Sequence, residues 1–247
     1  MLLHGFHVVI GRLRRAPDTI TELYLDDSRA DPRMAEIKRL AESAGVRPMA
    51  VDGERLDRLC RNKRHQGVVA FTGADFTPPS LEELIEKIEG PALLLVLDGV
   101  TDPRNLGACL RVADGAGAHG VIAPKDHACQ LTEAAVQTAS GAAESVPYLM
   151  VTNLGRALDT LNEADIWTVG TADEAESSLY EVDLPESIAW VLGAEGKGLR
   201  RLTRERCDLL VHIPMAGAVS SLNVSVASGI ALYETVRHRL AARPAKP

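Results

Sequence analysis

Short apolar runs alternate with helical segments through most of the chain from residue 93 onward. The runs have strand length and occupy residues 93–97, 121–123, 148–151, 167–170, 188–192 and 209–213. The segments between them carry apolar residues at helical spacing. Because strands buried on both faces read as continuous apolar runs, this alternation predicts an α/β fold with a mostly parallel sheet covered by helices on both sides.

A segment rich in proline and glycine divides the chain. Residues 73–80 read Gly-Ala-Asp-Phe-Thr-Pro-Pro-Ser, and paired prolines disfavour both helix and central strand. Residues 1–72 show a shorter alternation of helices and strands, which predicts a small α/β domain. We therefore predict domain limits at 1–72 and 81–247, with 73–80 as a linker that ends in a capping box at Ser80.

Charge is distributed unevenly along the chain. The net charge is −7, yet residues 1–75 carry 13 Lys and Arg against 11 Asp and Glu, whereas the rest carries 14 against 23. Aromatic residues make up only 4%, so a base-stacking surface is not indicated. The amino-terminal part is the better candidate for an RNA contact. Its densest basic segment predicts phosphate contacts from Arg61, Lys63 and Arg64, with ordinary surface charge as the alternative.

Cysteine spacing and hydropathy indicate the cellular compartment of the protein. The four cysteines, at 60, 109, 129 and 207, form no Cys-x-x-Cys pair, so neither a zinc site nor a redox motif is indicated. No run approaches the roughly 20 apolar residues of a membrane span, and the first residues lack the features of a signal peptide. We predict a cytoplasmic protein without a membrane or metal partner.

Three polar clusters follow apolar runs, at residues 98–111, 192–198 and 220–229. Each is rich in glycine or in residues that tolerate turns. In open α/β sheets, ligands collect where the loops at the carboxyl ends of strands face each other. The clusters therefore predict one composite pocket, although a Ser/Asn-rich helix cap alone would also explain the last of them.

The clusters carry three motifs. Asn105 precedes Arg111 by six residues, a glycine-rich turn spans Gly193-Ala-Glu195-Gly-Lys-Gly198, and Ile213-Pro-Met215 is followed by Ser221-Leu-Asn223-Val-Ser225. With these motifs the chain resembles the SpoU (TrmH-type, or SPOUT) branch of the knotted RNA ribose methyltransferases. The sequences of residues 97–103, 121–125 and 141–147 resemble those of the family members that methylate a guanosine of 23S rRNA. The similarity covers nearly the whole chain.

The resemblance implies a fold, an activity and partners. The expected fold is a deep trefoil knot in the carboxy-terminal domain, preceded by a domain like ribosomal protein L30e; true knots are otherwise almost absent from proteins. The expected activity is 2'-O-methylation of a guanosine ribose in the peptidyl-transferase region of 23S rRNA, with S-adenosylmethionine as the methyl donor. The expected partners are 23S rRNA or a large-subunit assembly particle, and a second copy of the chain bound through the carboxy-terminal domain.

The resemblance also implies residue roles. The positions matching the family's catalytic residues are Arg111, Glu195, Asn223, Asn105 and Ser221. Those matching its donor contacts are Gly193, Ile213, Met215 and Leu222. Because a guanidinium has a pKa above roughly 12, we favour phosphate binding and alkoxide stabilisation by Arg111 over literal proton removal. No metal is required, since a sulfonium is already an activated methyl donor.

Other functions are compatible with parts of the sequence. The same chemistry on tRNA or on an adenosine of large-subunit rRNA is one alternative. A noncatalytic RNA-binding assembly factor is another, although pure binding would not require all of the matched polar residues. A nucleotide-dependent oxidoreductase is disfavoured, because no Gly-x-Gly-x-x-Gly turn links a strand to a helix.

Overall fold

The computed structural model of the protein describes residues 2–61, 65–73 and 79–242. The chain divides into two units, one comprising Met1–Thr77 with Ser140–Ser145 and the other Pro78–Ala139 with Val146–Pro247. Part of the expected linker lies outside the described residues, and the domain limits stay a prediction. Helices and strands follow in the order β1 Leu2–His4, α1 Phe6–Arg15, β2 Ile20–Asp26, α2 Pro32–Ser43, β3 Pro48–Val51, α3 Gly53–Leu59, β4 Val68–Thr72, α4 Leu81–Glu86, β5 Leu93–Asp98, α5 Pro103–Gly115, β6 Gly120–Pro124, α6 Glu133–Ala139, α7 Ala142–Ser145, β7 Tyr148–Val151, α8 Leu154–Glu163, β8 Trp167–Thr171, β9 Ser177–Ser178, β10 Ile188–Gly193, α9 Arg201–Arg204, β11 Leu209–His212 and α10 Val224–Ala241.

The first unit is built on a four-stranded sheet in the order β1-β4-β2-β3, in which β4 runs antiparallel to β1 and β2 while β3 is parallel to β2. Side chains alternate between its faces, as the two-residue period of a strand requires. Leu23 and Leu25 join a hydrophobic cluster with α1 and α2, whereas Tyr24 belongs to the cluster around Leu56 of α3. Both faces of this sheet are therefore covered by helices.

Helix α7 packs against α1 within the first unit through small residues and a buried ion pair. A Cβ atom at Gly11 would lie 2.9 Å from Glu144 Cβ, so the glycine permits the close approach. Next to it, Arg12 Nε donates to Glu144 Oε2 over 2.6 Å, and the exposed fractions of the two side chains are 7% and 6%. This pair was not predicted from the sequence, because 132 residues separate its members.

The second unit contains a seven-stranded sheet in the order β7-β6-β5-β10-β8-β11-β9, and every neighbouring pair is parallel. Side chains from one face form a core with α4 and α8. On the other face, Trp190 of β10 is fully buried and donates from Nε1 to Thr235 Oγ1 of α10 at 2.9 Å. The predicted α/β class and the two-sided parallel sheet are confirmed, while the knot and the L30e-like character stay predictions.

Side-chain caps mark the starts of several helices. Asp102 caps α5 by accepting hydrogen bonds from two backbone amides of the first turn, and Asn223 caps α10 by accepting one from the backbone amide of Ser225. The capping box predicted at Ser80 is present. Helix α9 begins only at Arg201, because Arg200 is extended, and the two-residue strand β9 was not predicted. None of the described helices has both the length and the apolar character needed to cross a bilayer.

Candidate functional site

The loops that follow β5, β10 and β11 meet beside the carboxyl ends of these strands, as the three polar clusters predicted. They enclose two neighbouring clefts within the second unit, with volumes of about 240 Å³ and 460 Å³. Gly193, Ile213, Met215 and Leu222 all line the first cleft. The structure thus brings together the four residues that were expected to bind the methyl donor.

The turn at residues 194–198 separates the clefts and contributes to both. Its ends are bridged by the hydrogen bond from Gly198 N to Ala194 O, at 2.9 Å. A Cβ atom on Gly193 would lie 2.0 Å from the carbonyl carbon of Gly198, so main-chain packing within the turn itself requires glycine there. The motif therefore shapes both clefts through its backbone before any ligand is considered.

The first cleft also receives the loop after β8, which the sequence analysis missed. Thr171, Asp173 and Glu174 line it together with residues of the glycine-rich turn. Arg204 pairs with Glu174, and the Nε atom of Arg204 is buried without a hydrogen-bond partner among the described residues. The position of residues 171–174 directly after a strand was the signal that could have identified them.

Side-chain amides form a directed chain of hydrogen bonds at the second cleft. Asn223 Oδ1 accepts from the backbone and hydroxyl of Ser225, at 2.9 and 2.6 Å. Its Nδ2 therefore donates to Asn105 Oδ1 at 2.9 Å, and Asn105 Nδ2 faces Glu195 Oε2 at 3.5 Å. Each amide accepts with its oxygen and donates with its nitrogen. The hydrogen bonds at the start of α10 therefore fix the orientation of both amides, and the last donor points toward the carboxylate of Glu195.

Glu195 occupies the junction, because it lines both clefts. One of its oxygens faces Asn105, and its side chain is exposed to the clefts. A carboxylate in this place can accept a hydrogen bond or a proton from a group in the second cleft. Ser221 lines only the first cleft.

A buried carboxylate at the end of β5 supports the second cleft. Asp98 Oδ2 accepts from the backbone amide of Arg200 at 3.0 Å, and Oδ1 accepts from Arg200 Nε at 2.6 Å and lies 2.5 Å from Nη2. The Asp98 side chain is fully buried, whereas that of Arg200 is 49% exposed. The link between Asp98 and Arg200 was not predicted from the sequence.

Arg111 lies outside both clefts. It is on the exposed side of α5 and has no ion-pair partner within residues 2–61, 65–73 and 79–242. In the first unit, Arg61 is exposed, two residues after the end of α3. Lys63 and Arg64 fall outside the described residues, so the predicted RNA contacts stay a prediction.

Buried thiols are not nucleophile candidates. Burial raises the pKa of Cys109 to about 11, and a hydrogen bond with Ser228 opposes this shift only in part. Burial likewise raises the pKa of Cys207 to about 12. Across the part of the chain that the structure describes, no group of three or more His, Cys, Asp or Glu side chains is placed to hold a metal ion.

Comparison with known families identifies both parts of the chain. Residues 92–233 match the family described as "SpoU rRNA Methylase family". Residues 2–76 match "RNA 2'-O ribose methyltransferase substrate binding". Together the two matches account for most of the sequence.

Individual relatives share this organisation over their full length. The chain is 57% identical over 238 residues to the 23S rRNA (guanosine-2'-O-)-methyltransferase RlmB of Bordetella pertussis, covering 96% of this chain and 97% of the relative. It is 58% identical over 238 residues to the protein of the same name from Ralstonia nicotianae, covering 96% of each. Among solved structures, the SpoU methyltransferase AviRb from Streptomyces viridochromogenes in complex with AdoMet is similar, with a TM-score of 0.73, 28% identity, and coverage of 98% of this chain and 91% of that one.

Proposed function

The chain belongs to the SpoU rRNA methylase family, and we propose from this membership that it transfers a methyl group from S-adenosylmethionine to the ribose 2'-hydroxyl of a guanosine in 23S rRNA. The relatives that match it over its whole length carry this activity in their names. They do not favour the alternatives of tRNA, an adenosine or a noncatalytic role. The observation that carries the proposal is the pair of clefts joined at Glu195, one for each reactant.

The first cleft has features suited to S-adenosylmethionine. Met215 and Leu222 supply apolar walls for an adenine ring, while backbone groups at Gly193 and Ile213 border the same space. The buried Nε atom of Arg204 lacks a partner among the described residues and suits the carboxylate of an amino acid. When bound, this donor supplies a sulfonium-activated methyl group that is lost to a nucleophile without metal assistance.

In the second cleft, side chains of the protein must orient the acceptor ribose and accept the proton of its 2'-hydroxyl group. Glu195 is the group at the junction, and the chain of amides from Asn223 through Asn105 keeps its carboxylate in place. We assign to Glu195 the hydrogen bond from the 2'-hydroxyl. Fixing both reactants at contact distance accounts for much of the rate enhancement in well-oriented systems, about 7 to 11 kcal/mol.

Arg111 and the homodimer belong to the same proposal. Val226, Tyr233 and Leu240 are spaced by seven residues along α10, so they share one face, and each is at least 50% exposed. An apolar face of this kind on a helix that packs against α5, the helix of Arg111, supports association with a second copy. Arg111 then acts on RNA phosphate beside that interface.

Sedimentation equilibrium tests the dimer. Tyr233→Asp should give a monomer, and a monomeric wild-type protein would refute the proposed dimer.

The two domains have different roles in this proposal. We assign residues 1–72 to RNA selection, with Arg61, Lys63 and Arg64 as phosphate contacts, residues 73–80 to a linker and residues 81–247 to catalysis. The match of residues 2–76 to the substrate-binding family supports this division. Because the named relatives act on 23S rRNA, we place the protein in the cytoplasm, acting on free 23S rRNA or on an assembly particle.

Methyl transfer with a radiolabelled donor tests the function. The purified protein is incubated with unmodified 23S rRNA and, separately, with unmodified tRNA, and the labelled nucleotide and atom are mapped. Label on a guanosine 2'-oxygen of 23S rRNA is the expected result. Label on tRNA alone, or on a base atom, would contradict the proposal; label that forms only on a ribosomal assembly particle would identify the particle as the substrate.

A further inference from the structure

We propose that Arg200, held in place by the buried carboxylate of Asp98, binds a phosphate group of the substrate RNA in the second cleft, together with Lys197. The inference rests on the proposed function, since it assigns a contact for the RNA that the site would methylate. It concerns the orientation of the acceptor strand, separately from the chemistry at Glu195.

Asp98 fixes the direction of the Arg200 guanidinium. Both carboxylate oxygens of Asp98 are used, one by the Arg200 backbone amide and the other by the Nε edge of its side chain. Because Asp98 ends β5 and is fully buried, the acceptor belongs to the rigid sheet. Because one carboxylate holds both the backbone amide and the Nε edge of the same arginine, the planar guanidinium loses rotational freedom.

The opposite edge of the guanidinium remains open. A guanidinium carries five N–H groups, and Asp98 engages only the edge formed by Nε and Nη2. Within the described residues, the groups of Arg200 that donate hydrogen bonds donate to Asp98, while its side chain is 49% exposed and lines the second cleft. The structure therefore presents a fixed set of N–H donors to whatever occupies this cleft.

Two cations and three carboxylates line the second cleft, and the cations keep hydrogen-bond donors for an anion. Lys197 lines the same cleft and has no ion-pair partner in the part of the chain that the structure describes. The acidic groups nearby are each engaged: Asp98 with Arg200, Asp102 with backbone amides at the start of α5, and Glu195 with Asn105. Of the charged side chains in the cleft, the two cations are the ones with donors left to satisfy.

Phosphate of the RNA backbone is the anion that fits. Arg200 borders the second cleft and not the first, so the carboxylate of the methyl donor is not its partner. The acceptor ribose carries a phosphate on each side, and a planar guanidinium matches the paired oxygens of a phosphate. Binding one of them beside Glu195 would hold the 2'-hydroxyl in register.

The test compares Arg200→Lys with Arg201→Lys. A lysine at position 200 can keep the ion pair with Asp98 but lacks the second, outward edge. Arg201 is the matched control, because it pairs with Glu205, is 76% exposed and lines neither cleft. Lys197→Ala is a second variant that removes the other cation without touching a buried group.

The measurement is binding of transcribed 23S rRNA, by filter retention across a range of KCl concentrations, with S-adenosylhomocysteine affinity measured by calorimetry. We expect Arg200→Lys and Lys197→Ala each to weaken RNA binding about tenfold and to lower the salt dependence by roughly one ion. Arg201→Lys should match the wild type, and S-adenosylhomocysteine should bind the wild type, Arg200→Lys and Arg201→Lys equally. Lys197 lines both clefts, so its variant is used for the RNA measurement alone.

Two results would overturn the inference. One is unchanged RNA affinity and salt dependence in both Arg200→Lys and Lys197→Ala. The other is an equal loss of S-adenosylhomocysteine binding in Arg200→Lys, since this would make Arg200 a structural support of the glycine-rich turn. Because no turnover is required, the binding result is readable even if the wild-type protein methylates no ribose, the outcome that refutes the proposed function instead.

Discussion

Replacing Gly193 with alanine should disable methyl transfer through the backbone alone. The added Cβ would lie 2.0 Å from the carbonyl carbon of Gly198, 2.1 Å from its oxygen and 2.3 Å from the amide nitrogen of Leu199. All three are main-chain atoms, so no side-chain rotation relieves the clash. Ordinary contacts of a Cβ begin at 3.4 Å, and the two chain segments must separate by about 1.4 Å.

The displaced segment carries Glu195 and borders both clefts. Overpacking of this kind costs about 1–3 kcal/mol of stability. Misplacing a reactive group by about 1 Å can cost on the order of 100-fold in rate. We therefore expect Gly193→Ala to lower kcat/KM at least 100-fold and to weaken donor binding, with a smaller effect on folding.

Gly217→Ala is the matched control. Gly217 lies in the loop between β11 and α10, has no left-handed φ, and a Cβ there would meet nothing within 4 Å. Its replacement should leave activity unchanged and stability within about 1 kcal/mol. Calorimetry with S-adenosylhomocysteine, thermal unfolding and methyl transfer are measured for both variants. If Gly193→Ala binds the donor product and transfers methyl groups like Gly217→Ala, the reasoning from main-chain contact is wrong.

Three further predictions concern other parts of the molecule. Glu144→Ala removes the partner of the buried Arg12 guanidinium and should lower the free energy of unfolding by about 3–5 kcal/mol in urea; a loss under 1 kcal/mol would contradict the assigned burial cost. Burial raises the pKa of Cys109 from 9.0 to about 11, so between pH 9 and 11 the unfolded thiol ionises while the folded one does not. The thiol therefore stabilises the fold fully below pH 9, and its contribution falls by up to about 1.4 kcal/mol per pH unit above it; Cys109→Ala should show a shallower decline of stability, and equal slopes would exclude this origin. Arg111→Ala should abolish methyl transfer while S-adenosylhomocysteine still binds, whereas equal loss of both would make Arg111 structural.

Much of the second unit was predictable, because its signals are local. The strand expected at residues 93–97 is found at Leu93–Asp98, and the Ser/Asn-rich helix cap considered for the last polar cluster is found at Asn223, before the helix Val224–Ala241. A continuous apolar run indicates a strand that is buried on both faces of the sheet, and a capping residue indicates where a helix begins. Each of these features depends on neighbouring residues in the chain.

The candidate site was predictable in part, for the same reason. The glycine-rich turn and the residues beside Asn223 are contiguous motifs, and the structure gathers them at two clefts. The loop at residues 171–174 was missed because it contains no motif, only a position after a strand. The link between Asp98 and Arg200 was missed because it spans 102 residues.

The sequence by itself determined the secondary structure, the parallel sheet and the types of side chain at the strand ends, since these follow from short-range periodicity and turn chemistry. Only the tertiary structure decided that β10 lies between β5 and β8, which brings Gly193 level with Asp98. It also decided that Arg12 faces Glu144 and that Asn223 reaches Asn105. Strand order and long-range pairs depend on how the whole core packs, and no local pattern encodes which distant polar groups will be buried together.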